Sequence, residues 1–109
     1  PFGLKVTLVQ PGPFRTEFIG RSLTHVTTPL ADYDGTRGKF GRYLASVNGH
    51  QPGDPVRAAD AIIAAVTAER PPLRLVLGAY ANDKVRRTLA ASLRELDAWA
   101  PVAGNTEFR

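Results

Sequence analysis

The chain has 109 residues, 43% hydrophobic and 22% charged, with a formal net charge of +4, which is the size and polarity of one globular domain and excludes a disordered chain. It contains no cysteine, so disulfides and thiolate metal sites are excluded and a reducing cytoplasm is the expected compartment. No apolar run approaches the roughly 18 residues of a membrane span, and the first residues are not a basic-then-apolar secretory signal, so neither membrane insertion nor export is expected.

The excess of positive charge raises the question of an acidic partner. The 14 lysines and arginines are scattered, however, and the densest cluster is Lys84, Arg86 and Arg87 without interleaved aromatics. A solvated surface is therefore expected, and no nucleic-acid partner. The sequence starts at Pro1 and holds no methionine, so it is not expected to begin where translation begins; it reads as a processed product, a fragment or the ordered part of something longer.

In chain order, residues 5–10 (KVTLVQ) form a Val- and Leu-rich run bounded by Gly3 and Pro11, which predicts a strand. Its weak alternation suits a strand covered on both faces, as in a parallel sheet. From residue 12 to 53 periodicity fades and Gly, Pro, Thr, Asn and Asp accumulate, predicting a long functional loop with short helical turns near residues 14–19 and 40–44. Order returns in residues 51–70: Asp54 is suited to cap a helix, Pro55 to its first position, and Val56, Ala59, Ile62, Ile63 and Val66 to form its apolar stripe. Pro71 and Pro72 end it. LRLVLG, residues 73–78, predicts a second strand, and from Ala79 or Asp83 a closing helix carries Val85, Leu89, Leu93 and Leu96 on one face, with Trp99 as a packing anchor. Residues 100–109 read as an irregular tail.

Two strands separated by a helix predict a parallel pair with a right-handed crossover. Two strands alone make a poor sheet, so the chain reads as the edge of a larger α/β sheet. Ligands in such sheets bind beyond the carboxyl ends of the strands, where PGPFRT lies. Pro11 and Pro13 stiffen the exit and Gly12 permits close approach of another group. The N–H groups of Phe14 and Arg15 and the Thr16 hydroxyl are then available to a flat polar ligand such as an amide. Spacing leaves a second reading open, in which PGP merely stops the strand and Thr16 caps a short helix beginning at Glu17.

The run GLKVTLVQPGPFRT resembles the sixth-strand region of the short-chain dehydrogenase/reductase family, through Val6, Pro11, Gly12 and Thr16. The resemblance extends in order through a long variable loop, a GDP-initiated helix, the RLVLG strand and a closing helix. It implies an α/β fold, the C-terminal part of a doubly wound parallel-sheet Rossmann domain, occupying residues 1–109 as one segment with a substrate loop at 12–53 and a tail at 100–109. It implies NAD or NADP as cofactor, with Pro11 and Gly12 shaping the wall beside the nicotinamide and the Phe14 backbone and Thr16 hydroxyl binding its carboxamide. It further implies an alcohol or carbonyl substrate, with Phe18, Ile19, Leu23, Tyr33, Phe40 and Tyr43 lining an apolar pocket, and assembly as a homodimer or homotetramer, with a place at a subunit interface as the other expectation for Trp99.

The family's Gly-rich fingerprint and its asparagine, serine and Tyr-x-x-x-Lys residues should precede this segment and are not present. GTRGKFG at 35–41 follows no strand and is expected to be a flexible loop, and the YxxxK spacing of Tyr80 and Lys84 falls after the last strand, not before the first. No catalytic residue is therefore assigned within the chain, and alone it is expected to be inactive. His25 and His50 lack metal-ligand spacing, Asp32 and Asp34 read as turn residues, and Ser22 and Ser46 show no activating base, so no metal is expected. The alternative is a small α/β interaction module without catalysis, pairing through its strand edge.

Overall fold

Two short strands frame the computed structural model, which describes residues 2–25 and 30–108; Pro1, residues 26–29 of the expected loop and Arg109 of the expected tail lie outside the described residues. β1 (Leu8–Pro11) and β2 (Arg74–Leu77) pair in parallel, with Leu8 opposite Arg74 and Pro11 opposite Leu77. The ladder starts later than the apolar run at residue 5 predicts because Pro71 and Pro72, on the partner side, have no N–H to offer. The chain is tethered there by other means: the Thr7 hydroxyl donates to the Pro72 carbonyl at 2.7 Å, the Leu8 N–H to Leu73 at 2.7 Å and the Lys5 ammonium to Glu69 at 3.2 Å.

Between the strands lies the expected helix, α2 (Pro55–Thr67), preceded in the chain by α1 (Lys39–Val47). Asp54 caps α2 by accepting the Val56 N–H at 2.9 Å, and Pro55 occupies its first turn, as local chemistry dictates. The helix packs against β2, but through Ala58, Ala61, Ile62 and Ala65. Val56, Ile63 and Val66 of the expected stripe are exposed instead. A strip of two four-residue strands covers only part of a helix's circumference, and the small alanines allow the closest approach.

The segment after β1 is more ordered than its glycines suggest. A π-type turn (Phe18–Ser22) is followed by a 3₁₀ turn (Ala31–Tyr33), a second π-type turn (Asp34–Gly38) and α1. GTRGKFG is thus helical, not a flexible loop. The Arg42 guanidinium bonds the Asp34 carboxylate at 3.0 and 3.4 Å across these turns, and the Phe40 and Tyr43 rings stack with centroids 6.3 Å apart. The hydrogen bond and charge of Arg42 hold the Asp34 carboxyl below its ordinary range, so the pair is intact at neutral pH and is lost only as pH falls through that lowered value. The turn expected at 14–19 forms four residues later because Phe14 is drawn into a bridge with Gly53.

α3 (Ala79–Ala103) begins directly after β2. Gly78, at φ +95°, makes the turn in a region open to glycine, and the Asn82 amide donates to the Val76 and Gly78 carbonyls at 2.9 and 3.0 Å. The helix outlasts the expected tail boundary at residue 100 and carries Pro101 in its last turn, where the Gly104 N–H closes on the Ala100 carbonyl at 2.9 Å. Leu89, Leu93, Leu96 and Trp99 are all exposed, which does not bear out Trp99 as an anchor of the helix within the described residues and leaves the other expectation for it, a place at a subunit interface.

Among the described residues only Ala65 and Leu77 are buried apolar residues. The surface of 9590 Å² compares with about 5,900 Å² for a compact monomer of this mass, and the radius of gyration of 20.1 Å with about 13 Å. So little burial does not offset the conformational entropy of ordering the chain. Residues 1–109 produced alone are expected to show no sigmoidal thermal transition and strong binding of a hydrophobic dye; a sharp melt with weak dye binding contradicts this.

Candidate functional site: the carboxyl ends of the strands

Beyond Pro11 the Gly12 N–H donates to the Leu77 carbonyl at 2.8 Å, the last rung between the strands. A Cβ on Gly12 would lie 3.1 Å from Ala81 Cβ and 3.3 Å from the Leu77 oxygen. The close approach expected at Gly12 is made by α3.

The chain then meets the start of α2. The Gly53 N–H donates to Pro13 at 3.1 Å, and the Arg15 N–H to Gly53 at 2.9 Å. The Arg15 guanidinium adds two bonds to the Gln51 carbonyl, at 3.2 and 3.0 Å. This corrects one expectation: the Arg15 N–H is spent on Gly53 and is not available to a ligand. The Phe14 N–H has no partner among the described residues. Thr16 lies just beyond, and its hydroxyl oxygen accepts the Phe18 N–H at 3.3 Å, which leaves the hydroxyl proton to donate elsewhere. Thr16 is not the cap of a helix beginning at Glu17, as the second reading expects: the turn begins at Phe18, Glu17 holds the N-cap position, and the Thr16 bond is a local one to the residue two positions on.

These residues border a cavity of about 620 Å³, within the usual range for small-molecule sites. Pro11, Gly12, Phe14 and Thr16 line it together with Phe18 and Ile19. Leu23, Tyr33, Phe40 and Tyr43 do not. Tyr33, Phe40 and Tyr43 are exposed, and the last two are engaged in their own stack because α1 turns them away from the strand ends. The helix offers Leu44 to the cavity instead, and α2 offers Ala58, Ala59 and Ile62.

Gln51 also lines the cavity and was not singled out by any pattern in the sequence. It is 3% exposed, and neither its Oε1 nor its Nε2 has a hydrogen-bond partner among the described residues. Spacing carries no signal for such a residue; only burial reveals it. Outside the cavity, His50 Nδ1 lies 3.2 Å from the Asn48 carbonyl and the Ser46 hydroxyl donates to Tyr43 at 2.7 Å, and the described residues contain no cluster able to hold a metal. None of their helices is long and apolar enough to cross a membrane.

Parallel strands joined through a helix, with a cavity at their carboxyl ends, define part of a doubly wound α/β protein. No family model matches the chain. Over 94 residues it is 33% identical to Oxidoreductase BOA17 of Botryotinia fuckeliana (strain B05.10), covering 84% of this chain and 34% of that protein. A short-chain dehydrogenase from Streptomyces avermitilis is 36% identical in sequence and similar in structure with a TM-score of 0.75, covering 98% of this chain and 38% of that one. The chain is similar to the C-terminal region of a short-chain dehydrogenase and spans little more than a third of the length of these relatives.

A Cβ on Gly53 would fall 2.5 Å from the Phe14 ring and 2.7 Å from the Pro13 oxygen. Gly53→Ala is therefore expected to destabilise the whole protein by about 1–3 kcal/mol, as overpacking does, and to weaken ligand binding at the displaced Phe14. Denaturant melts together with ligand titrations measure both effects, and an unchanged melt would show that the bridge yields freely.

Proposed function

We propose that this chain supplies the nicotinamide wall and part of the substrate pocket of an NAD(P)-dependent short-chain oxidoreductase acting on an alcohol or carbonyl substrate. The observation that carries the reading is the placing of the unpaired Phe14 N–H and the Thr16 hydroxyl on one apolar cavity at the end of β1. A carboxamide oxygen accepts from donors such as these, and the flanking Pro11 and Gly12 suit the flat face of a ring. The residues thus fit one end of a nicotinamide cofactor, NAD or NADP, which when bound supplies or accepts the hydride. Phe14 and Thr16 orient that end, while Phe18 and Ile19 help keep water from the reacting carbon.

The described residues offer no Gly-rich loop for the pyrophosphate and no Tyr-x-x-x-Lys pair ahead of β1. The proton donor and the remaining cofactor contacts belong, in this reading, to an N-terminal half, and residues 1–109 alone do not transfer hydride. The uncovered apolar face of α3 supports assembly of the protein as a homodimer or homotetramer. The pairing of Arg21, Arg42, Arg57 and Arg87 with neighbouring carboxylates supports a solvated basic surface and not a nucleic-acid site. A cytoplasmic protein accords with the absence of cysteine. The same uncovered helix face favours, as a second reading, a non-catalytic module that docks on another chain.

Calorimetry on the complete protein separates the two. The unmodified protein is expected to bind a nicotinamide dinucleotide, Thr16→Ala to weaken that binding about three- to tenfold, as loss of one hydrogen bond does, and Thr16→Ser to restore most of it. Absence of any dinucleotide binding rejects the oxidoreductase reading in favour of the module.

A further inference from the structure

Gln51 is the buried polar residue of the described chain, and its side chain is unsatisfied at both ends of the amide. Buried amides are almost always paired, and leaving both a donor and an acceptor without partners is destabilising. The residue cannot simply withdraw into solvent. Its main-chain carbonyl is gripped twice by the Arg15 guanidinium, and Pro52 and the Gly53 bridge fix the chain that follows. The space it borders is the cavity that Phe14 and Thr16 also line, where Phe18, Ile19, Leu44 and Ile62 are apolar.

We infer that Gln51 is a specificity-determining residue of this cavity, whose amide, by rotation of the side chain, pairs with a second hydroxyl or carbonyl on a small and otherwise apolar alcohol or ketone. The amide suits such a group because Nε2 donates and Oε1 accepts, so a single hydroxyl satisfies both. A site that holds an amide for this purpose discriminates strongly against the analogue lacking the group, since the amide is then left unpaired. The inference rests on the proposed reading of the cavity as a substrate pocket.

The test uses the complete protein and compares cyclohexanol with the 1,3- and 1,4-cyclohexanediols, which share its apolar frame and add one hydroxyl. Dissociation constants come from ligand-observed NMR, which needs no turnover, and kcat/KM for oxidation is read beside them. The unmodified protein is expected to prefer at least one diol by about tenfold or more. Gln51→Leu is expected to abolish that preference, the diol losing more affinity than cyclohexanol. Gln51→Met, unbranched and of similar length, repeats the measurement with a different packing shape.

A protein that binds neither ligand or shows no diol preference overturns the inference. So do variants that fail to fold or that lose affinity for alcohol and diol alike, because the amide is then part of the framework. A diol preference that vanishes in the variants, in a protein that binds no dinucleotide, upholds the role of Gln51 and rejects the oxidoreductase reading. Dinucleotide binding without any diol preference does the reverse.

Discussion

The clamp between Gly53 and the residues after β1 is the contact on which the site depends. Two backbone hydrogen bonds, from Gly53 to Pro13 and from Arg15 to Gly53, join the first residues of a forty-residue excursion to its last ones. Without them the segment from Gly12 to Gly53 would leave the strand end as a free loop, and closing it would cost entropy at each ligand encounter. With them Phe14 is held with its ring against Gly53, and Thr16 is held at one place on the cavity rim. Arg15 reinforces the join by turning its guanidinium onto the Gln51 carbonyl, which is why this residue serves the framework although it stands between two candidate ligand contacts.

The clamp is local, whereas the sheet it hangs on is incomplete. β1 has one partner strand and large exposed side chains, Leu8 and Val9, and α2 and α3 each present an apolar face to solvent. A strand that is apolar on both sides is stable when layers cover both. The cavity shares this character: its walls are drawn from the same strands and helices and are predominantly apolar.

Much of the architecture was legible in particular residues. Asp54 and Pro55 start α2, and Gly78 marks the turn into α3, because caps, proline geometry and a positive φ act within a few residues of chain. The PGPFRT exit was legible in the same way, and Pro11, Gly12, Phe14, Thr16, Phe18 and Ile19 do come together. The helical character of GTRGKFG was not, since it rests on Arg42 reaching back to Asp34 and on ring stacking, neither of which a glycine count reveals. The outward direction of Tyr33, Phe40 and Tyr43 also escaped, because apolar composition does not say which way a helix is rotated against the cavity.

By itself the sequence determined the order and type of the main elements, the parallel pairing that a strand–helix–strand order favours, and the position of a polar exit at the end of the first strand. These follow from local stereochemistry and from hydrophobic pattern, which a one-dimensional string carries. Only the tertiary structure decided that the Arg15 N–H is consumed by Gly53, that Gly12 makes room for Ala81, that Ile62 and the alanines of α2 are covered while Val56, Ile63 and Val66 are exposed, and that Gln51 is buried with its amide unpaired. Each of these depends on two segments distant in sequence meeting in space, and the identity of the partner is fixed by packing rather than by spacing along the chain.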